Sequence, residues 1–180
     1  MWILVGAGKR KWTVFRHNGP YFPPDYQKHN IPVIVNGKNI ILPEQAEEYI
    51  TLYAKYIDTE YVNNPKFNKN FWNDFKHYLP KELNITDLES MDLKLIKKHL
   101  DNLAEKNKNL TKEEKEKKKL EMEKLEEPYK FCIIDGAQQK VGNYKIEPPG
   151  IFLGRGNHPK IGMIKKRILP EDVTINLDKN

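Results

Sequence analysis

The stretch IEPPGIFLGRGNHPKIGMIKKR, residues 146–167, decides more about the fold than any other part of this chain. Arg155 stands between Gly154 and Gly156, and glycines allow a backbone to approach another surface closely. Prolines stiffen the stretch on both sides of Arg155, and four cations follow it: Lys160, Lys165, Lys166 and Arg167. This pattern is typical of a loop that lies against a phosphate backbone and places one arginine in a groove.

Two other kinds of glycine-containing loop do not fit this stretch. A Walker A loop ends in Gly-Lys followed by Ser or Thr, which is missing here. Pro159 occupies the place of the third glycine of a dinucleotide-binding fingerprint. His158 is more often a structural hydrogen-bonding residue than a catalytic base, and we expect the structural role.

The positive charge is concentrated in two segments. The chain has 31 Lys and Arg against 25 Asp and Glu, a net charge of +6. Residues 1–40 carry +5 and residues 140–170 carry +6, whereas residues 41–139 carry −3. If the two segments meet in space, they form a basic face for a polyanion. The single cysteine, Cys132, excludes an intrachain disulfide, and the apolar run at residues 1–8 is too short to span a membrane.

The strands are predicted near the two ends. In residues 31–42 (IPVIVNGKNIIL), Asn36 and Gly37 separate two β-branched runs and supply the positive φ angles of a type I′ hairpin turn. The other strands are predicted at residues 11–16, 131–134, 140–146 and 173–177.

Two helices with apolar faces are predicted next. One begins at Pro43 and Glu44, and the other begins at about Pro65. The first face consists of Ala46, Tyr49, Ile50, Tyr53, Ala54 and Ile57. The second consists of Phe67, Phe71, Trp72, Phe75 and Tyr78. We interpret this aromatic stripe as core packing rather than as a platform for base stacking.

Capping boxes predict two more helices. Thr86 and Glu89 indicate one over residues 86–106, with Leu88, Met91, Leu95, Leu100 and Leu103 as its apolar residues. Thr111 and Glu114 indicate one over residues 111–127, whose first two turns contain no apolar residue and are therefore expected to be solvated. Strands, then helices, then strands predict an α+β protein in which a helical module is inserted into a β-rich one.

Taken together, these segments resemble the eukaryotic type IB DNA topoisomerases. Residues 146–162 resemble the family's IEPPG-x-F-x-GRGNHPK-x-G segment, and residues 168–172 (ILPED) continue the match. Trp12 with residues 17–26 is similar to the family's W…H-x-GP-x-F-x-PPY motif. Residues 131–135 are similar to its FCI-x-D strand, and residues 111–127 to its charged KEEK helix. The resemblance extends over nearly the whole chain from about Lys11.

The resemblance implies the upper half of a clamp around duplex DNA. Residues 1–23 and 128–180 would form a β-rich subdomain I, residues 24–92 a helical subdomain II, and residues 93–127 two projecting charged helices. The expected partners are duplex DNA and the C-terminal catalytic lobe of the same enzyme. The resemblance further implies a nuclear monomer with no cofactor and no membrane association.

The resemblance also implies site residues. The expected DNA contacts are Arg155, Asn157, Lys160, Lys165 and Lys166, together with Lys106, Asn107 and Lys108 near the link between the charged helices. Arg155 would enter the minor groove beside the cleavage site, and Lys160 would lie in the lip that closes the clamp. Phe152, Gly154 and Arg155 would line the camptothecin pocket. Leu153 stands where the family often has arginine, which removes one cation.

The implied reaction is DNA relaxation, an isomerase activity. In the family, a tyrosine attacks a phosphodiester and holds the 3′ phosphate while the other strand swivels, and the break is then resealed. The family's catalytic residues lie C-terminal to this segment, so we expect the chain to grip DNA and to contribute no catalytic residue. The alternatives are a stand-alone, non-catalytic duplex DNA-binding module and a protein-interaction domain that displays helix 111–127. Salt-insensitive DNA binding would favour the interaction domain.

Overall fold

The computed structural model describes residues 12–156 and 158–174. Its strands, in chain order, are β1 (Phe15–Arg16), β2 (Val33–Val35), β3 (Lys38–Ile40), β4 (Met91–Asp92), β5 (Phe131–Ile134), β6 (Ala137–Lys140), β7 (Gly150–Ile151) and β8 (Ile164–Lys165). Its α-helices are α1 (Glu44–Ala54), α2 (Pro65–Phe75), α3 (Lys94–Lys108) and α4 (Lys112–Glu126). The predicted α+β class is confirmed.

The chain divides into two compact units, each built from separate segments. The first unit contains the chain up to Pro24, Thr111–Pro148 and the chain from Ile168 onward. The second unit contains Asp25–Leu110 and Pro149–Arg167. The four segments predicted from the sequence, 1–23, 24–92, 93–127 and 128–180, stay predictions.

The first unit contains an antiparallel sheet in the order β1-β5-β6. Phe15 pairs with Ile134, and the Asp135 carboxylate accepts the N–H groups of Thr13 and Val14 at 2.7 and 2.8 Å. The strand predicted at 131–134 is confirmed, whereas β1 is shorter than predicted in the described part of residues 11–16. Of the strand predicted at 140–146, only Lys140, which ends β6, and Lys145, which forms an isolated bridge with Tyr21, are in β structure. The strand itself lies earlier, because Asp135 and Gly136 adopt positive φ angles and return the chain at once into β6. Of the strand predicted at 173–177, Val173 and Thr174 are not in a strand and the rest lies outside the described residues.

Helix α4 begins at the predicted capping box. The Thr111 hydroxyl accepts the N–H of Glu114 at 3.1 Å, and the Glu114 carboxylate accepts the N–H of Thr111 at 2.8 Å. The helix is exposed along its length until Glu126, including its apolar residues Leu120, Met122 and Leu125. The predicted solvated helix is therefore confirmed.

The second unit contains the predicted hairpin. Asn36 has φ 49° and Gly37 has φ 75°, as the type I′ turn between β2 and β3 requires. On the other edge of β2, Val35 pairs with Met91 of β4. This pairing corrects the helix predicted over residues 86–106, because Met91 is in a strand and the helix α3 begins only at Lys94.

The helix predicted to begin at Thr86 is absent there for a local reason. The Asp87 carboxylate accepts the N–H of Ser90 at 2.7 Å and so forms a turn where the capping box was predicted. The helical face changes accordingly: Ile96 is fully buried, whereas Leu95 and Leu103 are exposed.

The core of the second unit lies between α1 and α2. Phe67, Phe71 and Phe75 have no exposed surface, and the rings of Tyr53 and Phe71 lie 4.5 Å apart between centroids. The predicted face of α1 is buried except for Ile57, which is half-buried. The aromatic stripe is therefore core packing, as interpreted from the sequence.

A buried polar network fixes the start of this unit. The Glu47 carboxylate, 1% exposed, accepts the hydroxyl of Tyr26 at 3.0 Å and the backbone N–H groups of His29 and Asn30 at 2.8 and 3.1 Å. The His29 Nδ1 accepts the N–H of Ile31 at 3.0 Å, a hydrogen bond that only the neutral ring can make. Burial is the main cause that lowers the pKa of His29, although the charge of Glu47 opposes the shift.

We expect acid to destabilise the protein through His29. Below the usual histidine pKa of about 6.5 the unfolded chain binds a proton that the folded ring does not, so the free energy of unfolding falls as the pH decreases from there to the lower folded pKa. Urea unfolding at pH 7.5 and 5.5 measures the loss. The variant His29→Gln should lose part of this pH dependence, whereas His77→Gln, at an exposed position, should keep it. Equal pH dependence in the two variants would contradict the assignment.

Candidate nucleic-acid interface

The loop that contains Arg155 connects β7 to β8 in the second unit. Ile151 pairs with Ile164 at its base. Above this pair, the Phe152 N–H donates to the Met163 carbonyl at 2.9 Å, and the Gly162 N–H donates to the Phe152 carbonyl at 2.7 Å. The loop is therefore closed by regular backbone hydrogen bonds, and Arg155 lies beyond them.

The two glycines beside Arg155 are required by the backbone. Gly154 and Gly156 have φ angles of 53° and 57°, in the left-handed region that side chains rarely adopt. A Cβ at position 154 would lie 2.8 Å from the Cβ of His158. The glycines thus allow a tight loop, and the Arg155 side chain is exposed beside them.

His158 supports this loop from within. Its Nδ1 accepts the N–H of Lys160 at 3.2 Å, and its ring lies 4.8 Å from the ring of Phe152 between centroids. These contacts agree with the structural role expected from the sequence. Phe152, Gly154 and Arg155 are close neighbours on the loop, and their part in an inhibitor pocket stays a prediction.

Helix α2 binds the C-terminal arm of the loop, residues 159–164. This contact was not predicted from the sequence. The Asn70 side-chain amide donates to the carbonyls of Pro159 and Ile161 at 2.9 and 2.7 Å. The Asp74 carboxylate accepts the N–H of Ile164 at 2.9 Å. The available signal was a pair of polar residues at i and i+4 on the helix that carries the aromatic stripe.

The cations that follow Arg155 have different surroundings. Lys160 and Lys166 are exposed, and Lys165 is half-buried. None of the ion pairs found within residues 12–156 and 158–174 involves Arg155, Lys160 or Lys166. These three side chains are therefore not held by carboxylates in the described part of the chain.

Arg167 and Lys145 are instead committed to contacts inside the protein. The Arg167 guanidinium pairs with the buried Glu48 at 2.7 Å, and this hydrogen bond raises the pKa of Arg167. In the first unit, the Lys145 ammonium pairs with Glu126 at 2.6 Å. Two cations of the basic segment 140–170 thus stabilise the fold, which reduces the positive charge available to a ligand.

The remaining predicted site residues lie elsewhere. Lys106, Asn107 and Lys108 are exposed in the last turn of α3, where lysine charges interact favourably with the helix dipole. Asn157 lies outside the described residues. DNA contacts by any of these residues stay predictions.

In residues 12–156 and 158–174, no three His, Cys, Asp or Glu side chains are arranged to hold a metal ion. Within the same ranges, no helix is both long enough and apolar enough to cross a bilayer.

Comparison with known proteins identifies the family. Residues 10–180 match the family model described as "Eukaryotic DNA topoisomerase I, DNA binding fragment". The chain is 42% identical over 174 residues to DNA topoisomerase 1 beta of Arabidopsis thaliana, covering 97% of this chain and 19% of that protein. It is 40% identical over 178 residues to DNA topoisomerase 1 of Candidozyma auris, covering 96% and 24%.

A human relative extends the comparison. The chain is 42% identical over 174 residues to the mitochondrial DNA topoisomerase I of Homo sapiens, covering 94% of this chain and 29% of that protein. The chain thus spans less than a third of the length of these curated relatives. With a match of this extent, the chain belongs to the eukaryotic DNA topoisomerase I family, in the region of its DNA-binding fragment.

Proposed function

We propose that this chain grips duplex DNA as one side of the clamp of a type IB topoisomerase. The enzyme would relax supercoiled DNA through transient breakage of one strand and a 3′-phosphotyrosine. The observation that carries the proposal is the exposed Arg155, placed on a tight loop by Gly154 and Gly156 within a segment that resembles the family's motif. The C-terminal lobe of the same enzyme would complete the clamp, and the enzyme would act as a monomer in the nucleus.

Two features of the loop support DNA binding. The backbone is narrow at its tip because two glycines flank Arg155, so it can approach a groove closely. The exposed cations Lys160 and Lys166 follow on the same segment and suit phosphate contacts. The proposed DNA contacts are Arg155, Asn157, Lys160, Lys165, Lys166, Lys106, Asn107 and Lys108.

Binding to duplex DNA should be sensitive to salt and only weakly sequence-selective. Each phosphate that a lysine or arginine neutralises releases counterions, so affinity should fall steeply between roughly 50 and 200 mM salt. Fluorescence anisotropy with two unrelated duplexes of equal length measures both properties. Constant affinity over this range would show that binding does not depend on phosphate contacts, and it would favour a protein-interaction role.

Arg155→Ala should weaken binding much more than Lys117→Ala. An arginine that enters a groove contributes about 1–3 kcal/mol to binding, whereas Lys117 is exposed on the solvated helix α4 and is not among the proposed DNA contacts. Both variants remove one positive charge, so the comparison cancels the change in net charge. Equal losses of affinity would show that Arg155 acts only as one more surface cation.

A further inference from the structure

We propose that Asn70 and Asp74 of α2 are positioning residues that hold the Arg155 loop in its DNA-binding shape. The proposal rests on the proposed function, because these residues would affect the affinity for duplex DNA only by positioning Arg155. Both side chains bond to the backbone of the loop, and neither is proposed as a DNA contact.

Asn70 binds the backbone of the turn that contains Lys160. Its side-chain amide donates both of its hydrogens, one to the carbonyl before Lys160 and one to the carbonyl after it. The same turn is closed on its inner side by the hydrogen bond from the Lys160 N–H to His158. The backbone on both sides of Lys160 is therefore fixed to α2 by a single side chain.

Asp74 and Gly162 extend this attachment along α2. The Asp74 carboxylate accepts the N–H of Ile164, the first residue of β8. Between the two polar contacts, Gly162 lies so close to the backbone of Phe67 that a Cβ there would be 2.1 Å from the Phe67 carbonyl oxygen. One face of α2 thus contacts the loop's C-terminal arm at three successive places.

This arrangement indicates positioning because both side chains bond to backbone groups of the segment that follows Arg155, whose Ile161 and Ile164 side chains pack in the core. Asn70 and Asp74 are half-buried, whereas the aromatic side chains Phe67, Phe71 and Phe75 of the same helix are fully buried in the core. Removing the Asn70 amide should leave that core intact and free the turn that follows Arg155. The arginine would then have to be ordered on DNA, which lowers affinity.

A double-mutant cycle on the 180-residue chain tests the coupling. Asn70→Ala should weaken duplex binding by roughly 3- to 10-fold in the presence of Arg155 and by less than about 2-fold in an Arg155→Ala background, because residues that act through one another are not additive. Asn73→Ala, an exposed amide on the same helix, should bind as the unsubstituted chain does. Asp74→Asn keeps an acceptor for the Ile164 N–H and should bind more tightly than Asp74→Ala.

Tryptic cleavage gives a second measurement that needs no DNA. Trypsin can cut after Arg155 and after Lys160, and cutting at both should become faster in Asn70→Ala and remain unchanged in Asn73→Ala. If Asn70→Ala unfolds, the isosteric Asn70→Asp, which turns the donor into an acceptor, replaces it, with Asn73→Asp as the charge-matched control.

The outcomes separate this proposal from the proposed function. If the unsubstituted chain does not bind duplex DNA, the proposed function fails, whatever trypsin shows. If it binds DNA but Asn70→Ala lowers affinity equally with and without Arg155, or leaves cleavage of the loop unchanged, the positioning role is overturned. Faster cleavage together with a loss of affinity that requires Arg155 supports it.

Discussion

Gly162→Ala is expected to cause a large loss of stability in the second unit. The new Cβ would lie 2.1 Å from the carbonyl oxygen of Phe67 and 2.7 Å from its Cα, and these are backbone atoms of α2 beside a fully buried side chain. Position 162 also has φ 87°, where a side chain is strained. Overpacking and backbone strain each cost about 1–3 kcal/mol, so we expect the free energy of unfolding to fall by roughly 2–6 kcal/mol.

A matched substitution separates the two causes. Gly37 has φ 75°, close to that of Gly162, but nothing lies within 4 Å of a Cβ built there. Gly37→Ala therefore carries the backbone strain without the clash. Urea unfolding of both variants gives the difference, which we attribute to the contact with α2. If the two substitutions lower the free energy of unfolding equally, the close contact between Gly162 and α2 does not contribute to the loss caused by Gly162→Ala.

We expect the 180-residue chain alone to leave supercoiled plasmid unchanged. In the proposed enzyme, relaxation needs a nucleophilic tyrosine and a cluster of cations around the phosphoryl group. These groups act as a unit and supply nearly the whole rate enhancement. A chain that contributes none of them is therefore expected to have no measurable relaxation activity. Adding in trans the part of a topoisomerase I relative that follows the matched segment should restore relaxation, because the two parts would complete one clamp.

We expect no tyrosine of this chain to act as the nucleophile. All nine are buried or half-buried. Burial raises the pKa of Tyr26, Tyr49, Tyr53 and Tyr56, which is opposite to the shift that activates a nucleophile. Plasmid relaxation on agarose gels, without added metal, compares the chain, the complementing part and their mixture. Relaxation by the chain alone, abolished when one of its tyrosines becomes phenylalanine, would refute this expectation.

Elements whose causes are local were predictable from the sequence. The turn at Asn36 and Gly37 and the capping box of Thr111 with Glu114 depend on residues at most three positions apart, and both are confirmed. The glycines beside Arg155 belong to the same class, because positive φ is a property of the single residue.

Elements whose causes are distant were not predictable. Thr86 and Glu89 have the spacing of a capping box, but Met91 pairs with Val35 instead of entering a helix. Arg167 belongs to the basic segment, but its charge is paired with Glu48, which is 119 residues away in sequence. The contacts of Asn70 with the loop span up to 91 residues. No window of sequence contains both members of such pairs, so charge and periodicity alone assign them wrongly or miss them.

The division of both units into separate segments has a consequence for synthesis of the chain. The Asp135 carboxylate binds the N–H of Thr13 across 122 residues, and Arg167 reaches Glu48 across 119. At about 5–20 residues per second, a ribosome needs roughly 6–24 s to make a stretch of that length. The hairpin of β2 and β3 and the helix α4 can form during that time, because their contacts are local. The Arg155 loop cannot take its native shape until Ile164 has left the ribosome, so the proposed DNA-binding surface forms only after both segments of the second unit have been made.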